Sequence, residues 1–354
     1  MTEHASDYRF ADSVRVRVRG PERVVRHFDA EYGEAGVAPL EAPHVDVRLG
    51  FGLRPVHIPG GLQVSGGHKS ARWRVALGAP DSVPLRAHVL LAGGPPSFAL
   101  SLVQGYVVEA FVALALAAQG RVALPGAGFA TPDGVTVVLG RSGAGKTTLA
   151  ARTLAGGRWV LSDDQVIVDA EPRAWRYPRR LRLYPDIRRT APEAWARLPG
   201  RTRSALTSRE WLRRLTRGYV APSLAVPASA VGSTVVAGPL PLRRLVVVDR
   251  SDRDGPLVAV RSPAWGGQQA EALLAEQRSR LGSAVAGEWA RAFEAALQAE
   301  RRTLDTALTT VPVTELVLPR CWDVQRSIEA LQDAVGLSPD TPPAPGARPP
   351  TPSR

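Results

Sequence analysis

The chain has 354 residues, 44% hydrophobic and 22% charged, a balance that excludes a disordered or fibrous polypeptide and is long enough for two globular domains. Its formal net charge is +12, but the excess is spread through arginine-rich segments with no nucleic-acid module, so nucleic acid is not the expected partner, while a preference for acidic ligands stays open. A single cysteine, Cys321, excludes an internal disulfide, and in the run LPRCW it reads as a small buried hydrophobe.

The opening MTEHASDYRF lacks the order of a signal peptide, and the most apolar run, 107–118, is interrupted by Glu109 and too short to cross a bilayer. A cytoplasmic location without membrane association is therefore expected. Residues 14–19 (VRVRVR) alternate as a half-exposed strand, and 21–32 begin with Pro21 and carry an apolar helical face at Val24, Val25 and Phe28. Further strands are expected at 44–49, 71–77, 85–91 and 97–102, then a buried helix at 104–119 that packs on its own domain or on a second copy. This gives a small α+β N-terminal domain over 1–119.

The second domain, 120–337, is expected to be α/β. Its strands fall at 158–161, 165–169, 243–249, 257–260 and 311–317. Helices are expected at 192–198, 208–216, 266–307 with a break near Gly282, and 324–335. Residues 338–354 (SPDTPPAPGARPPTPSR) read as a disordered Pro-rich tail.

The strongest chemical signal is GRSGAGKTT at 140–148, a full match to the phosphate-binding pattern GxxxxGK(S/T). Gly140, Gly143 and Gly145 let backbone N–H groups turn toward phosphate oxygens, with Ser142 and Ala144 completing the loop. Lys146 supplies a point charge to the β- and γ-phosphates, Thr147 a hydroxyl for Mg²⁺, and Thr148 closes the first helical turn. The apolar strand VTVVL precedes the loop and a helix follows it, so the helix N-terminus also favours an anion. Lys146 is one of only two lysines, with Lys69, in a chain whose other basic residues are arginine. A compact ammonium survives where a planar guanidinium fits poorly.

Phosphoryl transfer also needs carboxylates near the γ-phosphate. Asp163 and Asp164 end the short apolar strand RWVL that follows the loop helix, where ligands gather in α/β folds. Adjacent positions on an extended chain point to opposite sides, so one can face the nucleotide while the other faces elsewhere. Downstream, RAWRYPRRLRLYPDIRR offers Arg179, Arg180 and Arg182 as contacts to an acidic acceptor. The same alternation of Arg with Leu also fits a half-exposed strand. Asp169 and Glu171 read as solvated strand-end charges, and the tryptophans at 159, 175, 195 and 211 as core or interface residues. The six histidines lack paired ligand spacing, so no zinc site is expected.

The loop, its helix and an aspartate pair beginning seventeen positions after Lys146 resemble the C-terminal domain of HPr kinase/phosphorylase and its relatives, best over 121–185. That resemblance implies a P-loop kinase core related to the phosphoenolpyruvate carboxykinase nucleotide fold, with ATP and Mg²⁺ as cofactors. It implies Asp163 as the base toward a hydroxyl acceptor, assisted by Lys146, and Asp164 with Thr147 at the metal. The acceptor would be a serine of a peptide or protein, free serine, or a small hydroxyl-bearing metabolite. Two features depart from the family. Its His-Gly pair is replaced here by Pro125-Gly126, and its Glu-Arg-Gly signature is absent downstream, so HPr itself is not the expected substrate. The chain has no asparagine, which excludes Ras-type base reading and the eukaryotic protein-kinase catalytic loop. The alternative is a protein of a peptide-modification pathway that binds ATP without transferring phosphate.

Overall fold

The computed structural model describes residues 2–217, 219, 223–232, 238–282 and 284–337. The tail expected at 338–354 lies outside the described residues. The chain divides into two compact units, one of 1–122 with 274–303, the other of 123–273 with 304–354.

The first unit opens with β1 (His4–Phe10) and β2 (Val14–Gly20), an antiparallel hairpin whose loop places Ala11 and Asp12 at positive φ. Along β2 the valines at 14, 16 and 18 are buried and the arginines between them half-buried, as the alternation predicts. Helix α1 (Glu22–Tyr32) buries Val24, Val25 and Phe28. It leads by way of β3 (Gly36–Val37) to β4 (Val45–Phe51), which lies parallel to β2. β5 (Leu62–His68), β6 (Ala71–Leu77) and β7 (Leu85–Ala92) complete a sheet of order β3-β1-β2-β4-β7-β6-β5.

Residues 97–102 are helical, not the expected strand. Pro95 and Pro96 fill the cap and first-turn positions, where a missing N–H is harmless, and start α2 (Pro96–Val103). A π-turn at Gln104–Val108 and α3 (Glu109–Ala117) continue it into one 22-residue apolar helix, mostly buried. By length and composition this helix could cross a membrane, so the run at 107–118 is part of a longer apolar segment than sequence alone indicates. The π-turn brings Gln104 and Glu109, five residues apart, onto one face. There Gln104 Nε2 donates to Glu109 Oε1 at 3.0 Å, and Tyr32 Oη donates to the same oxygen at 3.1 Å. This closes a buried polar network inside an otherwise apolar core.

The second unit is built on a mixed sheet of order β11-β9-β10-β16-β13-β12-β8, with one further strand paired onto β16 and another paired onto that one. β8 (Arg121–Leu124), β9 (Gly126–Thr131) and β10 (Gly134–Gly140) come first, then α4 (Lys146–Ala155). β11 (Val160–Ser162), β12 (Val166–Asp169), β13 (Arg173–Arg176) and β14 (Leu181–Leu183) follow. Three helices come next, α5 (Ile187–Thr190), α6 (Pro192–Arg197) and α7 (Gly200–Leu215). β15 (Leu224–Val226) pairs with β14 in a small separate sheet. β16 (Leu240–Ser251) runs parallel to β10, and β17 (Leu257–Arg261) precedes α8 (Pro263–Gly282) and α9 (Glu288–Leu308). β18 (Val313–Pro319), parallel to β16, and α10 (Val324–Val335) are the last elements of the unit among the described residues. The architecture is thus mixed α/β. Cys321, in the turn between β18 and α10, is exposed, because LPR ends the strand and carries it out of the core.

The stretch Leu274–Thr303 of α8 and α9 belongs to the first unit, and within it Arg278 on α8 forms a bidentate ion pair with Glu300 on α9, both buried. Burial pushes the Glu300 carboxyl up, and Arg278 opposes that shift. Removing one partner leaves a charge in a dry site. Glu300→Ala is expected to lower stability by about 3–5 kcal/mol in urea denaturation. Glu22→Ala, which breaks the exposed Glu22–Arg26 pair, should change it by less than about 0.5 kcal/mol.

Candidate active site

β10 is buried along its whole length and delivers the chain to the loop at 141–145. Gly143 and Gly145 have φ of +88° and +98°, a region closed to most side chains. Gly140 is constrained by space: a Cβ there would lie 2.8 Å from the Val248 carbonyl oxygen and 3.1 Å from Ala144 Cβ. Arg141, Ser142 and Gly143 are exposed, Ala144 is buried, and Lys146, Thr147 and Thr148 are half-buried. Gly145 precedes α4 without a side-chain cap, and Leu149 N donates the first intrahelical bond, to Gly145 O at 2.9 Å. The N–H groups of residues 146–148 therefore have no partner within the helix, as an anion site requires.

Lys146 Nζ folds over the loop, donating to Gly140 O and to Arg141 O, the latter at 3.2 Å. Burial lowers its pKa, while the charges of Asp164 and Asp163 oppose that shift. The ammonium and both carboxylates thus share one electrostatic neighbourhood. Strand direction explains this. β11 is antiparallel to β9, and β9 to β10, so β10 and β11 run the same way and their C-terminal ends leave the sheet at one edge.

The two aspartates divide as adjacent positions on an extended chain should. Asp163 is 2% exposed, and neither carboxylate oxygen has a hydrogen-bond partner. Burial first and the neighbouring Asp164 second push its pKa up to about 7. Arg179 and the N–H groups of Arg182 and of Asp163 itself oppose the rise, the N–H groups without reaching hydrogen-bond geometry. Asp164 is 44% exposed at its side chain and accepts from Arg179 Nη1 at 2.6 Å.

The three arginines separate into different roles. Arg179 holds Asp164. Arg180 and Arg182 are half-buried and flank Leu181, while Leu181 and Leu183 point into the core, the pattern of a half-exposed strand. Asp169 lies outside this constellation, engaged by Arg173 at 2.6 Å. Sequence reading missed two further residues. Arg209 on α7 donates to Ser223 O, and its pKa is lowered by burial and then by Arg182, which places the two guanidinium groups close together. Asp249 follows Val248, which pairs with Gly140, so it stands at the same sheet edge as the loop, exposed. The run LVVVD, apolar residues ending in a carboxylate, was its available signal.

Among the described residues no group of three or more His, Cys, Asp or Glu side chains gathers as a metal site. Mg²⁺ in nucleotide sites is commonly held by one or two carboxylates together with substrate phosphates. The accessible Asp164 and the half-buried Thr147 fit that requirement. Comparison of the chain with protein-family models gives no match, and comparison with curated proteins gives no significant one.

Asp163 links the site to stability. Its folded pKa lies above the ordinary value of 3.8, so the favourable contribution of the protonated form is complete below about pH 4 and lost as pH rises to about 7. Relative to wild type, Asp163→Asn should therefore gain stability across that interval, on the order of 4 kcal/mol in total, and no further above it. Denaturant midpoints of both proteins at several pH values measure this, and a gap independent of pH refutes it.

Proposed function

We propose that the protein is a Mg-ATP-dependent phosphotransferase whose second unit is a P-loop kinase core of the HPr kinase/phosphoenolpyruvate carboxykinase type, acting in the cytoplasm on a hydroxyl acceptor. The observation that carries this reading is Asp163: a buried carboxylate without hydrogen-bond partners, its pKa raised to about 7, in the electrostatic neighbourhood of the loop lysine. An orphaned buried carboxylate is expensive to keep, and a pKa near neutrality suits a general base.

The loop N–H groups and Lys146 bind the β- and γ-phosphates, with Gly140, Ser142, Gly143, Ala144, Gly145, Thr147 and Thr148 shaping the cradle. Thr147 and Asp164 are the residues that would hold Mg²⁺, which supplies charge neutralisation on the phosphate oxygens when bound. Asp249, at the same end of the sheet as the loop, would add negative charge near that ion. Asp163 accepts the acceptor's hydroxyl proton as the acceptor oxygen bonds to the γ-phosphorus and the bond to the β-phosphate oxygen breaks, releasing ADP. Arg179 keeps Asp164 oriented, and Arg180 and Arg182 line the approach of the acceptor. Pro125, where the resembling family has histidine, supports an acceptor other than HPr. It also supports a second reading, an ATP-binding protein that transfers nothing.

Incubation with γ-labelled ATP, Mg²⁺ and candidate acceptors separates the two. Lys146→Ala should abolish nucleotide binding. Asp163→Asn should retain it and lose transfer by about 10²–10⁴-fold. Since the base must be ionised, kcat/KM of the wild type should rise about tenfold per pH unit below about 7 and level above it. Transfer undiminished in Asp163→Asn overturns the kinase reading, and nucleotide binding with no labelled acceptor favours the second one.

A further inference from the structure

The second unit has an open groove of about 860 Å³ between α7 and the α5–α6 segment. Trp195 and Trp211 give it aromatic walls, Leu212 an apolar one, and Arg188 and Arg203 a basic rim. Trp211 is 65% exposed, and Leu212 and Leu215 beside it are exposed as well. Other large apolar side chains are exposed elsewhere, Val83 and Val260 among them, but these three stand together along one helix beside the groove. Two of the groove's three hydroxyls are already used: Thr207 and Ser208 donate to the carbonyls of Arg203 and Ser204, each at 2.9 Å. No ion-pair partner engages the side chain of Arg188 or of Arg203 among the described residues. α7 carries five arginines against the single acid Glu210, which Arg214 already holds at 3.1 Å.

We infer that this groove docks an acidic peptide segment bearing a bulky apolar side chain, the apolar group seated between Trp195 and Trp211 and its carboxylates on Arg188 and Arg203. Charge complementarity selects this occupant. A second copy would bring the same arginines and a net charge of +12. The chain's own segment 338–354 has one acid, Asp340, against Arg348 and Arg354. An anionic membrane would match the charge, but a concave groove suits a side chain better than a lipid surface. The inference rests on the phosphotransferase reading in one respect, that such a segment would belong to the acceptor. α7 also carries Arg209, close to Arg182, whose N–H faces Asp163, so groove and acceptor approach are joined through one helix.

The test is fluorescence anisotropy of a labelled synthetic peptide of Glu, Asp and Leu, with the full chain and without nucleotide. Binding is expected, weakened about tenfold by Trp211→Ala and strongly by added salt. Arg188→Glu with Arg203→Glu should abolish it and confer binding of the counterpart peptide with Lys in place of the acids. Both variants change exposed or rim positions, and nucleotide binding by each serves as the folding control. Peptide binding insensitive to Trp211→Ala, or none, overturns the proposal. So does Trp211-dependent binding to phosphatidylserine vesicles in the absence of peptide binding. The kinase reading fails separately: a chain that binds the peptide but no ATP refutes the kinase and leaves the groove, while a chain that phosphorylates a small acceptor and ignores the peptide does the reverse.

Discussion

The turn from β10 into α4 is the constraint on which the rest of the second unit depends. The chain must reverse from buried strand to helix while its backbone lies against the Val248 carbonyl and the side chains of Leu331 and Ile328, and a Cβ on Gly145 would stand 3.1 Å from Leu331 Cδ1. Only glycine satisfies both the spacing and the positive φ. Once the turn is made, α4 can bury Leu149, Ala150 and Leu154 in the cluster with Phe129, Val138, Val246, Leu316 and Leu331. Each large side chain so buried contributes roughly 1.5–3 kcal/mol, so packing rather than ligand fixes where the helix N-terminus points. The turn of free N–H groups at the start of α4 is then a by-product of a core that would form anyway.

A second close approach aims the carboxylates. β9 has Gly128 where β11 crosses it, and a side chain there would meet Leu161 Cβ at 3.0 Å and Val166 Cγ2 at 3.1 Å. The absence of that side chain lets β11 lie tightly on β9 and carries Asp163 inward as the strand ends. The result opposes stability, since the carboxylate loses water and gains no hydrogen bond in return. Arg179 relieves part of the strain, yet it engages Asp164 directly and Asp163 only through its field. A destabilised group held in place by well-packed surroundings is what a reactive site requires, and Asp163 meets that description where Asp169, fully engaged by Arg173, does not.

Residues whose local pattern decided their structure were legible in the sequence. The alternation of VRVRVR, the helix over Glu22–Tyr32 and the terminal helix Val324–Val335 follow from periodicity that tertiary contacts did not override. The stretch at 97–102 misled, because its Ser and Leu positions alternate like a strand while the paired prolines before it start a helix. β9, with the small residues of GAGFAT, has almost no strand signal of its own and is held by its neighbours on both sides. In the site, the loop and the aspartate pair could be read because each is a short contiguous run. Arg209 and Asp249 could not be placed that way: each reaches the site through a sheet pairing or helix packing that brings together residues far apart along the chain.

The arginine excess makes sense when sorted by partner. Arg17, Arg19, Arg173, Arg179 and Arg278 are matched to Asp7, Asp46, Asp169, Asp164 and Glu300, pairs in which a planar guanidinium gives geometry as well as charge. Such matched pairs contribute nothing to the net charge. Part of the surplus lies on α7, where five arginines meet one acid and where Trp211, Leu212 and Leu215 are exposed. Solubility alone would favour a scatter of charge away from apolar surface. Their coincidence on one helix, packed beside the strand pair that carries Arg182, gives the second unit one face that is both basic and apolar.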